Sequence, residues 1–398
     1  MSGNTQFWTH IGERVCAPLY FSMCHWIHEQ ISGRNMRKIL FLARDGLILK
    51  DTWELLYGKE GSPAPLYLWA SRRCLRIARM ERLGDSEKAL ILSRKNLTPA
   101  QCLHQLGLDF PEPGADTGVA WNAPLRSRQD REAFMDYLDS VSGRILKQAK
   151  EERECLLAYL ESVGLITATK EPVALVDLGW QGNLQAALQE LLNNSGSQTE
   201  LHGYYMGTIA PVGVQDSKRT SGLYFNHSSP EKPCRAIRHC QLLVETLFAA
   251  PHPSIKRIRR EGNSFKPEYV PVDEHADIQP SLILMQRAAL AHIQKKRECW
   301  EADPAMPLEE GFAELTRLLR KPNAKEAQIV GNVNHFGGFG QALDLHPLAR
   351  PEGSSTSVWN LRNQYRRAYW RAGFLKRLKP WQRLALAPLI IGMPPDRS

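Results

Sequence analysis

Two aspartates and three arginines in this chain follow short apolar runs, each time where a polar turn gives way to a helical pattern. They stand in Ala43-Arg44-Asp45-Gly46, in Ser71-Arg72-Arg73, and in Asp177-Leu178-Gly179-Trp180-Gln181-Gly182-Asn183. A carboxylate at such a place can bind Mg2+ or exchange protons as a general acid–base group, so Asp45 and Asp177 are the candidates for both roles. The same residue type also caps a following helix through its side-chain oxygen. Ser71, Arg72 and Arg73 at a helix start offer many donors to a phosphate or carboxylate, and Arg44 adds another. The plainer account is a serine cap with two solvated arginines, although arginine there opposes the positive end of the helix dipole. Gly179 and Gly182 let backbone amides come close to a ligand, with Gln181 between them. The turn is neither a dinucleotide fingerprint nor a P-loop, because the three-glycine spacing and the Gly-Lys-Ser/Thr ending are both missing.

These turns need strands to carry them. The runs Lys38–Ala43, Leu66–Ala70 and Pro172–Val176 are continuous rather than alternating, as in strands covered on both faces of a parallel sheet. Ligands of open α/β sheets sit outside the carboxyl ends of the strands, where all these residues fall. A fourth strand is expected over Leu201–Thr208, with helices over Leu47–Tyr57, from the second strand to Met80, and over Asn183–Leu192. An opening helix, Trp8 to Ile31, has apolar residues at three- and four-residue spacing, and Pro18 is positioned to kink it. Residues 82–165 read as a helical insertion, a cap over the site. The expected organisation is an α/β core over 1–215, a mainly helical region over 216–345 and a basic amphipathic tail over 346–398. In the middle region Cys240–Phe248, Gln279–Trp300 and Pro307–Leu319 read as helices, and Asn332–Gly340 as a glycine-rich loop. Weaker candidates are Glu245 on an apolar helix, His252 between two prolines, and Asn332, Asn334 and His335.

With 398 residues, 43% of them hydrophobic, the chain can bury sizeable cores. No apolar run approaches the roughly 18–20 residues of a spanning helix, and the first residues lack a secretory pattern. A soluble, cytoplasmic protein is therefore expected. None of the eight cysteines forms a Cys-x-x-Cys pair, which favours reduced core thiols over zinc or disulfides. Eight of the net nine positive charges fall between Arg362 and Arg383, with no acid among them. A charge so localised argues against a nucleic-acid face and for one anionic partner. Tyr365, Tyr369, Trp370, Phe374, Leu375, Leu378, Trp381, Leu384 and Leu386 interleave with those charges. That pattern describes a helix lying in the interface of an anionic membrane, divided at Pro380. The competing account is a helix docked on the protein.

Taken as a set, Phe41–Gly46, Tyr67–Arg73, Val176–Gly182 and Gly203–Gly207 resemble a carboxyl-terminal region of certain bacterial haloacid-dehalogenase-like (HAD-like) hydrolases. Ala17-Pro18-Leu19 and the stretch from Glu245 to His252 also fit. The resemblance spans roughly residues 10–260. Those proteins are encoded with glycosyltransferases in surface-polysaccharide clusters, so the resemblance implies a Rossmann-like, HAD-like sheet and a role in lipopolysaccharide or capsule production. It places Asp45 at the acid–base aspartate, Ser71 at the phosphate-binding Ser/Thr and Asp177 at the metal-binding acid. Ala43 takes the place of the nucleophilic aspartate, and an alanine cannot form a phospho-aspartyl intermediate. Two functions are compatible with this pattern. One is a phosphohydrolase or phosphotransferase site for a sugar phosphate or nucleotide sugar, with Mg2+. The other is an inactive scaffold that recruits a glycosyltransferase to the inner membrane.

Overall fold

The apolar runs form β1 (Lys38–Leu42), β2 (Ala64–Leu68) and β3 (Glu171–Asp177), joined by β4 (Thr199–Gly207) and β5 (Thr220–Phe225). The computed structural model describes residues 3–58, 63–92, 97–106, 108, 118–209, 219–226, 234–270, 279–336, 345–352 and 357–391. In it the five strands make one sheet of order β2-β1-β3-β4-β5, with every pairing parallel. Ile39 and Phe41 of β1, Ala174 and Val176 of β3, and Tyr204 and Met206 of β4 enter one core. Leu40 and Leu42, Val173 and Leu175, and Leu201 and Tyr205 enter a second core on the opposite face. Side chains alternate faces along a strand, so a strand with a core on each side is apolar on both faces through its buried stretch. The chain is thus α/β with a Rossmann-like parallel sheet.

The winding of the chain locates the crevice. Helix Gly46–Tyr57 returns from β1 to β2 across the first core through Ile48, Leu49, Trp53 and Leu56. Helix Asn183–Asn194 leads from β3 to β4 across the second core through Ala187, Leu188, Leu191 and Leu192. Right-handed crossovers that move outward in opposite directions must put their helices on opposite faces. β1 and β3 are the adjacent strands from which the two directions diverge, so the gap between their carboxyl ends is the switch point.

The insertion between β2 and β3 is helical. Asp85–Ile91, Pro99–Leu106 and Arg128–Ser140 share a small core around Leu103, Phe134 and Leu138. Helix Ser142–Ser162 then packs Leu156 and Leu160 under the second face of the sheet. At the amino end, helices Gly3–Ile11 and Ala17–Ile31 are joined by one π turn, Gly12–Cys16, in which the Ala17 N–H bonds Gly12 O. Pro18 has no N–H to offer the preceding turn, and the wider turn accommodates that loss.

Beyond residue 215 the chain also forms strands that its pattern did not announce. β5 is an edge strand with a glycine in it. β6 (Ile255–Glu261) and β7 (Ser264–Tyr269) form an antiparallel hairpin. β6 is mostly basic, and its two apolar residues, Ile255 and Ile258, are spaced by three rather than two. The register shifts between Ile255 and Arg257, and this irregularity lets both isoleucines enter the second core. The expected helices appear as Gln241–Phe248, Gln279–Ala302 and Ala305–Arg320. The expected glycine-rich loop opens with a short strand, Asn334–Phe336, paired with Leu345–Pro347. Gly337, Gly338 and Gly340 lie outside the described residues.

The basic tail folds as three short helices, Val358–Arg367, Arg371–Arg377 and Pro380–Ile390. Tyr365, Trp370, Phe374, Leu378 and Leu386 join the first core, and Trp370 Nε1 donates to Leu319 O at 2.9 Å. This corrects the expectation that the interleaved aromatics all face a membrane: most of them are core side chains. Trp359, Trp381, Leu384 and Ile391 do face outward, at 65, 47, 76 and 80% exposure. Among the described residues no helix is long and apolar enough to cross a membrane. The cysteines are free thiols, five of them buried.

Candidate functional site

Because β1 and β3 end side by side, the turns that follow them share one crevice. Asp45 occupies the N-cap position of helix Gly46–Tyr57, yet its side chain makes no capping bond. Capping therefore does not account for this carboxylate. Asp177 ends β3, is 9% exposed, and accepts the Leu178 N–H on Oδ1 at 2.9 Å. After it, Gly179 takes φ +123°, and a Cβ there would strike Gly207 O. Gly182 begins helix Asn183–Asn194 in the left-handed region, at φ 65°. Only glycine suits position 179, and the left-handed turn at 182 favours it, so these two residues answer first to the turn itself. The Ala43–Arg44 and Gly179–Trp180 peptides are both cis.

All nine residues singled out from the sequence line one cleft of about 370 Å³: Arg44, Asp45, Ser71, Arg72, Arg73, Asp177, Gly179, Gln181 and Gly182. Glu245 joins them from helix Gln241–Phe248. Burial, with the charges of Glu245 and Asp177, pushes the Asp45 carboxyl well above the ordinary range, against the pull of Arg44 and Arg72. Burial pushes Asp177 up to about 7, with Glu245 adding to it and Arg72 and the Leu178 N–H opposing. Carboxyls driven up by burial in a cleft and faced by guanidiniums are a mark of functional sites.

Two members of the set are committed elsewhere. Ser71 caps helix Arg72–Ala78 by accepting the Cys74 N–H at 3.0 Å, and its one O–H donates to Ile255 O at 2.7 Å. No hydroxyl proton remains for a phosphate. Arg73 is 4% exposed and pairs with Glu152 through two bonds of 2.8 and 2.9 Å, while also donating to Lys256 O. It clamps the β2 helix, the insertion and the hairpin together. Arg44 and Arg72 also line the cleft, and their charges act on Asp45.

Glu245 accepts the indole N–H of Trp180 at 2.9 Å, and Trp180 in turn stacks on Phe225 at 6.1 Å. Trp180 and Gln241 were not anticipated as lining residues, because aromatic and amide residues carry no distinct spacing signal. His252 is not among the described lining residues. Its Nδ1 faces Pro253 O at 2.8 Å, so Nε2 accepts from the Tyr67 hydroxyl at 2.6 Å. The Tyr67 hydroxyl is held above its ordinary pKa by burial and by the charge of Asp45. Asn332 and Asn334 are likewise not among the described lining residues, and Asn332 instead accepts from Arg377 at 2.8 Å.

Among the described residues no three His, Cys, Asp or Glu side chains converge to hold a metal ion. Mg2+ needs only one or two carboxylates where phosphate oxygens and waters complete its shell. Asp45 and Asp177 fit that requirement only together with a phosphate ester. No known protein-family description matches this chain, and no curated protein matches it.

Proposed function

We propose that the cleft binds a phosphate ester, a sugar phosphate or nucleotide sugar, within a HAD-like protein of bacterial surface-polysaccharide production. The observation that carries this reading is the meeting of Arg44 and Arg72 with Asp45 and Asp177 at the sheet's switch point. The guanidiniums match the oxygens of a phosphate, and the Asp177 carboxyl, raised to about 7, exchanges a proton with an ester oxygen near neutral pH. Mg2+, held by Asp45 and Asp177 with the ester's own oxygens, would neutralise charge on the phosphoryl group. Ala43 lines the same cleft and offers no nucleophile, so any transfer passes directly to water or an acceptor.

Calorimetry with a panel of sugar phosphates and nucleotide sugars, with and without Mg2+, tests the reading. One ligand of the panel binds the native protein, and Arg72→Ala weakens it roughly ten- to hundredfold, as expected for losing a charge-assisted bond. Absence of binding across the panel would leave the alternative, an inactive partner of a glycosyltransferase, which the alanine at position 43 favours. The outward Trp359, Trp381, Leu384 and Ile391, beside Lys379 and Arg383, support attachment to an anionic membrane surface.

A further inference from the structure

Beside the cleft lies a larger, partly open chamber of about 850 Å³, lined by helices Arg235–His239, Gln241–Phe248 and Ala305–Arg320 and by the folded-back tail, with Arg235 and Arg320 exposed. Arg235, Arg238, Arg320 and Arg371 line it, and no aspartate or glutamate is among its described lining residues. Among the described residues Arg235, Arg238 and Arg320 form no salt bridge. His239, in the same wall, is held down at about 4 by burial and by Arg238, Arg235 and Arg371, so it remains neutral at pH 7 and adds no fifth charge. Like charges brought together with no carboxylate among the described lining residues repel one another, and an anion in their midst relieves that repulsion. Apart from Gln241 and Thr316, the rest of the wall is apolar or aromatic, with Leu319, Leu375 and Tyr369.

The chamber is not isolated. Gln241 and Leu242 line both it and the cleft. One turn further along the same helix, on the face that carries Gln241, stands Glu245 of the cleft. A single helical turn is therefore the partition between the two.

We propose that the chamber binds an organic diphosphate, its phosphates among the four arginines and its apolar or aromatic body on the Leu319–Leu375–Tyr369 wall, reaching the cleft past Gln241. A diphosphate suits four guanidiniums better than a monophosphate does, because it carries more charge and more oxygens for bidentate pairing. The inference extends the phosphate-ester reading of the cleft, but it rests on different residues.

Three probes test it by calorimetry on the full chain: inorganic pyrophosphate, a nucleoside diphosphate and a short prenyl diphosphate. One of the two organic probes binds at least tenfold tighter than pyrophosphate, and which one does so identifies the body as a nucleoside or a lipid chain. Reversing the two outermost charges, Arg235→Glu with Arg320→Glu, weakens that probe at least a hundredfold, while Arg235→Lys with Arg320→Lys keeps it within about tenfold. Circular dichroism and a thermal melt verify folding, and Arg320→Gln alone decides the matter should the charge-reversed protein not fold. No binding by the native chain, equal binding of pyrophosphate, or charge reversal without effect would each overturn the proposal. Arg72→Ala separates the two sites. Loss of diphosphate binding there but not on charge reversal leaves the cleft reading standing and the chamber refuted. The opposite result leaves the chamber standing, and the cleft reading is then decided by the sugar-phosphate and nucleotide-sugar panel.

Discussion

The two aspartates of the cleft are costly residues, and that cost is measurable. Asp177 has its carboxyl raised to about 7 in the folded chain, against an unfolded value of about 3.8. A carboxyl raised on folding holds its proton better in the native state. Native stability therefore falls as pH rises from about 4 to about 7, and the loss persists above that window. Asp177→Asn removes this loss, so its Tm at pH 8 should exceed that of the native protein, with little difference at pH 4. A native-like fall in Tm across the same window in the variant would contradict the assignment. Arg73 behaves oppositely. Arg73→Ala leaves Glu152 buried without its bidentate partner, and should cost about 3–5 kcal/mol in urea unfolding. Replacing both residues together should cost less. The sequence exposed which residue types gather at the strand ends, but not how they divide the work. Ser71 and Arg73 looked as fit for phosphate as Arg72, because their true partners, Ile255 and Glu152, lie far along the chain.

At the scale of elements, hydrophobic continuity announced β1 and β3, which lie between two cores, and also β2, a half-exposed edge strand, whereas β4 was expected although Glu200 and His202 break its apolar run. The hairpin was silent for the converse reason: β6 is basic on its open face and held by pairing rather than by pattern. Glu268 on β7 holds it, bonded to Arg257 at 2.8 Å and also to Arg259. Burial works against the charge, yet the bonds and charges of Arg257 and Arg259 bring Glu268 down to about 2 from an ordinary 4.5. A depressed carboxyl stabilises the fold above its unfolded pKa and loses that contribution as pH falls through the folded one. Glu268→Gln should therefore be less stable than the native protein at pH 6 and match it near pH 2. The difference should close between about pH 4.5 and 2. The tail misled for another reason: amphipathic aromatic and basic spacing is shared by helices that lie on lipid and helices that lie on protein. Its outward face is narrower than the sequence implied. Trp381→Ser with Leu384→Ser should leave the chain folded and abolish sedimentation with anionic vesicles at low salt; sedimentation equal to native would end that part of the proposal.

For the molecule as a whole, the tail is a structural member of the first core. Trp370 is fully buried against Leu319, so Trp370→Ala should cost about 3–5 kcal/mol, far more than an appendage would. The same packing makes the tail one wall of the arginine-lined chamber. Sheet order supplies the rest of the logic. With β1 and β3 adjacent and their crossovers on opposite faces, the turns bearing Asp45 and Asp177 converge although 128 residues, 43–170, lie between β1 and β3, a convergence the strand ends hinted at and only topology enforces. A crystal structure of the chain with a bound sugar phosphate or nucleotide sugar puts the central claim to its most direct test. The phosphate should lie in the cleft with its oxygens about 2.7–2.9 Å from the guanidiniums of Arg44 and Arg72. A phosphate seated away from both arginines, or a cleft still empty at saturating ligand, would contradict the account.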